Sequence, residues 1–266
     1  MIFRLMVAMA VGSVAAPAAA QTPPVGYQLV WSDEFDRDGL PDPSKWAADT
    51  HANKAGWYND ELQYYSADRI ENAHVADGRL IITARRESLR DRADHGGQQY
   101  SSARLITKGL ASWTNGFFEV RAKLPCGAGS WPAIWMLGAE RGWPDGGEID
   151  IMEHVGNDPG KVHGTIHNRA TVGSHGDNGS VDLPTACTQF HDYQLTWTPE
   201  ALEMGVDGRV FHRYAKAGKS DGGWPFDDPQ YMLLNLAVGG AMGGKVDDTI
   251  FPIAFEIEHV RVYQRR

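Results

Sequence analysis

Amphipathic helical periodicity is scarce in this sequence, which leaves short alternating runs as the main structural signal. Basic charge is also short: 25 Lys and Arg stand against 34 Asp and Glu, a formal charge of −9. That balance argues against nucleic acid, whose affinity comes chiefly from Lys and Arg on phosphates, and it also disfavours a sulfated polysaccharide. Beyond residue 20 no long uncharged apolar run occurs, so no membrane span is expected there. Internal repeats, low-complexity tracts and linkers are absent. Cysteine is limited to 2 residues, and an even count in an exported chain favours one bridge over two buried thiols.

What is present begins with Met1 to Ala20. Arg4, an apolar run from Leu5, and Ala18-Ala19-Ala20 before Gln21 read as a secretory signal peptide cut after Ala20. The mature chain is expected outside the cytoplasm, extracellular or periplasmic, at a formal charge of −10 once Arg4 is lost. Residues 21–266 suit one sizeable all-β domain with no obvious second one. Gln21 to Gly26 is a short extended lead-in. Thereafter 30 Gly and 14 Pro punctuate the alternating runs, which points to an antiparallel sandwich. Phe118, Val120, Ala122 and Leu124 alternate with Glu119, Arg121 and Lys123, as on a strand with one buried face. Tyr193, Leu195 and Trp197 do the same. Asp77-Gly78 and Asp207-Gly208 are expected hairpin turns.

One stretch organises the rest: Gly147-Glu148-Ile149-Asp150-Ile151-Met152-Glu153-His154-Val155. On a strand Glu148 and Asp150 share a face, whereas strict alternation sends Glu153 to the other side. One extra residue at Ile151 or Met152, taken up as a β-bulge, returns Glu153 to the face of the other acids. A solvated edge strand is the bland alternative. Like charges held side by side destabilise a sheet, and they push carboxyl pKa values apart, so that one group is ionised while another is protonated. Glycoside hydrolysis by a retaining mechanism requires those two states, with carboxyls about 5 to 5.5 Å apart.

The hexapeptide Glu148-Ile149-Asp150-Ile151-Met152-Glu153 resembles the signature of glycoside hydrolase family 16, in the form with one extra residue seen in laminarinase-like bacterial endo-1,3-β-glucanases. Trp31-Ser32-Asp33-Glu34-Phe35, Asn59-Asp60-Glu61-Leu62-Gln63-Tyr64-Tyr65, Trp131-Pro132-Ala133-Ile134-Trp135-Met136-Leu137 and Asn235-Leu236-Ala237-Val238-Gly239-Gly240 resemble the family in its own order. The likeness spans essentially the whole mature chain. It implies a β-jelly-roll sandwich of two antiparallel sheets whose concave face forms an open polysaccharide cleft. It also implies a pairing of Cys126 with Cys187.

The resemblance further implies Glu148 as nucleophile, Glu153 as acid and base, and Asp150 as the group that orients Glu148. Asn59, Glu61, Arg104, Trp131, Trp135, His167 and Asn235 match positions near the sugar-binding cleft, with Trp57 and Trp113 as weaker aromatic candidates. Aromatic faces suit sugar rings because these present apolar C–H surfaces, while amides, acids and Arg bind hydroxyls. His167 is expected beside Glu153, with His163 supporting the sheet; a transition-metal site on this His pair is a minor alternative. Family members often hold a structural calcium away from the cleft, and the matching positions are Glu34, the carbonyl of Gly78, and Glu258 in place of the usual Asp. Catalysis itself needs no cofactor. Ala241-Met242 stands where many relatives carry a Trp, and Met offers no flat ring, which puts the exact linkage preference in doubt.

The expected function is a monomeric, endo-acting hydrolase of β-1,3-glucan. Relatives acting on mixed-linkage glucan, agarose or another galactan use the same acid triad. Transglycosylation differs only in the acceptor. A non-catalytic glycan-binding sandwich needs aromatics but not two matched carboxylates.

Overall fold

The computed structural model describes residues 23–172 and 176–265, so the expected signal peptide lies outside the described residues. The chain opens with β1 (Tyr27–Asp33), β2 (Ala47–Ala48), β3 (Gln63–Tyr65), β4 (Ala73–Ala76), β5 (Arg79–Ala84) and β6 (Tyr100–Ser102). Its middle comprises β7 (Arg104–Ile106), β8 (Gly116–Lys123), β9 (Ser130–Gly138), β10 (Glu148–His154), β11 (Lys161–His167) and β12 (Asp177–Asp182). β13 (His191–Trp197), β14 (Ala201–Val206), β15 (Arg209–Ala215), β16 (Gln230–Val238) and β17 (Ile253–Arg265) complete it.

Two antiparallel sheets stack as the sandwich expected. One runs β15-β14-β13-β8-β17-β5-β4, with β1 also on β17; the other runs β12-β11-β10-β9-β16-β7-β2. A small parallel pair, β3 with β6, lies outside them, and sequence alternation gave no sign of it. Turn chemistry sets two of the hairpins. Asp77-Gly78 between β4 and β5 and Asp207-Gly208 between β14 and β15 take positive φ at both residues (52° and 70°, 49° and 73°), the geometry that matches strand twist in a two-residue loop.

The core is the interleaved inner faces of the sheets. Phe118, Val120 and Ala122 from β8 meet Tyr193, Leu195 and Trp197 from β13, all fully buried, against Ile134, Met136, Ile149 and Leu234 from the second sheet. Alternation therefore found the inner faces correctly. It also led one to expect solvent on the outer faces, and there the structure differs. Glu119, Asp192, Gln194 and His259 on the back of the first sheet are buried, because they bond one another across strands: Gln194 donates to Glu119 at 2.9 Å, and Arg121 bonds both Asp192 and Glu258. Cross-strand polar pairs of this kind satisfy groups that alternation alone would assign to water.

Candidate active site

The acids lie on β10, which runs between β9 and β11 in the second sheet. Its pairing with β11 shifts register between Asp150 and Glu153, and its pairing with β9 shifts between Asp150 and Met152. Here is the expected bulge: Ile151 and Met152, although consecutive, are both buried in the core. Two core-facing residues in succession absorb the odd spacing, so Glu153 rejoins Glu148 and Asp150.

The site side chains form one connected set on neighbouring strands. Trp131 from β9 donates its indole N–H to Glu153 Oε1 at 3.1 Å, and Thr165 from β11 reaches Glu153 Oε2 at 3.5 Å. Trp135, two alternations along β9, donates to Asn235 Oδ1 at 2.7 Å, and Asn235 donates to the Tyr65 hydroxyl at 2.9 Å. Arg104 on β7 sits between two rings, 5.0 Å from Trp57 and 4.7 Å from Trp135, with Asp49 at 2.9 Å from its Nε. It is buried, so a solvent-facing arginine is excluded. Glu61 accepts from Gln63 at 2.9 Å and also from Asn59, whose own side chain lies in an exposed turn at φ 57°. Gly240 (φ 76°) packs against this turn: a Cβ there would stand 2.8 Å from the Asn59 carbonyl and 3.3 Å from the Trp131 ring. Met242 fills the adjacent space against Trp131, Val155 and Ala237.

Burial dominates the electrostatics. Glu148 is pushed up to about 7, first by desolvation and then by the Glu153 charge, with hydrogen bonds from Asp150 and Trp143 opposing the rise. Glu153 is likewise pushed up to about 7 by desolvation, against the Trp131 and Thr165 hydrogen bonds, with the Glu61 charge adding to the rise. Asp150 is raised well above the ordinary range by desolvation and by the charges of Glu148 and Glu153. Three carboxyls so placed cannot all ionise at neutral pH. The proton resides best on Asp150, which then donates to Glu148 and favours its carboxylate.

Some expectations need correction. His167 pairs across the ladder with Glu148, and its Nε2 lies 3.6 Å from Asp150; His163 is the residue opposite Glu153. The antiparallel register thus puts His167 beside Glu148 and Asp150 rather than beside Glu153. Burial lowers both imidazoles below their usual range and so favours neutral rings. Trp113 is a core residue, edge-on to Trp31 and Phe118, away from the acids. The calcium set does not fit a cation as its carboxylates stand. Arg261 clasps Glu34 with two bonds of 2.9 and 2.7 Å, and Glu258 accepts from Arg121 at 2.7 Å, so guanidinium groups already supply positive charge; Gly78 serves as the hairpin turn. Trp143 was missed. Its indole, 55% exposed, hydrogen-bonds Glu148 from the loop before β10, and Arg141 and Asp145 in that loop are ion-paired to Asp228 and Arg169. A Trp-Pro step in a Gly-rich turn beside the acidic strand was the available signal. Cys126 and Cys187 are bonded as expected, with Cα atoms 5.7 Å apart.

Comparison with known proteins gives a consistent answer. The chain is 49% identical over 252 residues to a β-glucanase of Rhodothermus marinus, covering 90% of this chain and 85% of that protein. It is 37% identical to a glucan endo-1,3-β-glucosidase of Cryptopygus antarcticus, covering 88% and 91%. Among solved structures, the non-specific endo-β-1,3(4)-glucanase SCLam superposes with a TM-score of 0.89 at 50% identity, covering 92% of this chain and 94% of that one. The sequence profile of glycosyl hydrolases family 16 matches residues 63–250, and the chain belongs to that family.

Proposed function

We propose that this protein is an endo-acting, retaining hydrolase of β-1,3-glucan, and that the bulge in β10 is the observation that carries the reading. It gathers three carboxyls on one face, with Asp150 holding its proton more tightly than Glu148 and Glu153. Glu148, its carboxylate favoured by the proton on Asp150, attacks the anomeric carbon. Glu153 gives its proton to the leaving glycosidic oxygen, and a covalent glycosyl ester forms on Glu148. Glu153, now a carboxylate, takes a proton from water, which displaces the ester and restores the original configuration. The Trp131 N–H favours the carboxylate form of Glu153 that this second step uses. No cofactor takes part.

Trp135 and Trp143 offer ring surface to sugars on either side of the cut, while Asn59, Glu61, Arg104, Asn235 and His167 supply the polar floor. The similarity to an enzyme described as a non-specific endo-β-1,3(4)-glucanase favours one second reading, cleavage of mixed-linkage glucan as well. Products from laminarin, curdlan, lichenan and agarose, followed with time, separate these readings. Internal cuts in laminarin with a β-configured new reducing end by NMR are expected. Release of monomer alone, an α product, or activity confined to agarose overturns the proposal. The residues at the start of the chain support export after cleavage at Ala20, and a monomer is expected by light scattering.

A further inference from the structure

The disulfide lies against a histidine that catalysis does not use. His154 follows Glu153 at the end of β10 and is fully buried. Its Nε2 is 3.2 Å from the Pro159 carbonyl, so Nε2–H donates there, and Nδ1 is left with a lone pair and no partner. A buried acceptor without a donor is costly, and an adjoining electrophile would relieve it. One ring nitrogen of His154 and the sulfurs of Cys126 and Cys187 all lie within 4.8 Å of one another.

We propose that, when the Cys126–Cys187 bond is reduced, these two sulfurs and His154 form a three-ligand site for a soft divalent transition cation of the zinc type. Two thiolates and one imidazole, with a fourth position open to water, make up a known tetrahedral set. Its net charge is zero, which a buried site favours over two thiolates alone. In the proposed site the unpartnered Nδ1 takes the metal, so that Nε2–H keeps its bond to the Pro159 carbonyl, the arrangement that orients most metal-bound histidines.

Backbone hydrogen bonds hold the same segments beside the covalent bond. Leu124 N–H donates to the Ala186 carbonyl at 3.0 Å, which holds the two cysteine segments together. Gly156 N–H donates to the Ser130 carbonyl at 2.9 Å, and a Cβ on Gly156 would stand 2.0 Å from the Gly127 carbonyl, so the end of β10 is locked against the Cys126 loop. Both cysteines are part-exposed, which gives reductant and metal a path. A phosphine or dithiol supplies two electrons, and two protons come from solvent or the dithiol, to turn the disulfide into two thiols. Binding of the cation then releases both protons.

The test uses the intact protein, reduced under nitrogen with a phosphine and titrated with cobalt(II), then zinc(II). Reduced protein is expected to take up one equivalent of cobalt, with a sulfur-to-metal charge-transfer band and intense tetrahedral d–d bands that zinc abolishes. Zinc is expected to slow alkylation of both thiols at least tenfold. Oxidised protein is expected to give no such bands. His154→Gln, which keeps both thiols, is expected to bind at least tenfold more weakly. Reduced wild type without the bands and without thiol protection overturns the proposal, as does His154→Gln binding as tightly as wild type. If His154→Gln fails to fold, the imidazole resonances of reduced wild type decide: an unshifted His154 ring on zinc addition overturns it equally.

Discussion

At the residue scale the chemistry rests on where protons sit. Replacing Glu148 by Gln is expected to cost several orders of magnitude in turnover, since the isosteric change removes only the nucleophile's charge. It is also expected to stabilise the fold, because the Glu148 carboxyl titrates near 4.5 when unfolded and about 7 when folded. Between those pH values the folded state holds the extra proton, so stability falls as pH rises through the window and the penalty is fully present above it. The melting temperature of Glu148→Gln should therefore exceed that of wild type at pH 8, with the gap closing towards pH 4; an equal gap at both would refute the shift. Trp131→Phe works in the other direction on Glu153. It deletes the hydrogen bond that favours the carboxylate, so the alkaline limb of kcat/KM against pH should move upward. An unmoved limb would show that the indole acts by packing alone.

At the scale of single elements, β10 makes the sharpest statement. Deleting Met152 gives Glu148 and Glu153 an even spacing of four, which a regular strand places on one face, and measurable hydrolysis should survive. Inserting one residue after Asp150 leaves no such solution without a second bulge, and activity should fall as far as in Glu153→Ala, measured as reducing ends from laminarin. Much of this element was legible in the sequence: an odd spacing of acids among Ile, Met and Val demands a bulge if the acids are to meet. The partner strand was less legible. Nothing local to His163-Gly164-Thr165-Ile166-His167 fixes which histidine faces which acid, because register is a property of the pair of strands. The same reason hid the parallel β3–β6 pair and the link from Asn235 to Tyr65, whose residues lie 170 positions apart.

At the scale of the whole molecule, the inner faces of the sandwich were legible because apolar side chains alternate, whereas the buried polar back of the first sheet was not. Its residues look solvent-bound one strand at a time and become buried only when β8, β13 and β17 lie side by side. The pairing of Glu34 with Arg261 and of Glu258 with Arg121 was hidden for that reason too, since those arginines reach them across strands. Chelation should leave the melting temperature unchanged, and a fall on adding EDTA that calcium restores would contradict the arginine pairing. The bond between Cys126 and Cys187 spans 61 positions, worth about 4 kcal/mol in chain entropy, so the doubly Ser-substituted protein should melt roughly 10 °C lower. The crowding of Glu148, Asp150 and Glu153 in one dry trough reaches into calorimetry. A short β-1,3-oligosaccharide that is bound but not cut strips away their remaining water and draws a proton from solution near neutrality. The heat of its binding will then differ between phosphate and Tris by the ionisation heat of the buffer, so the trough acts as a small proton reservoir that fills when sugar arrives.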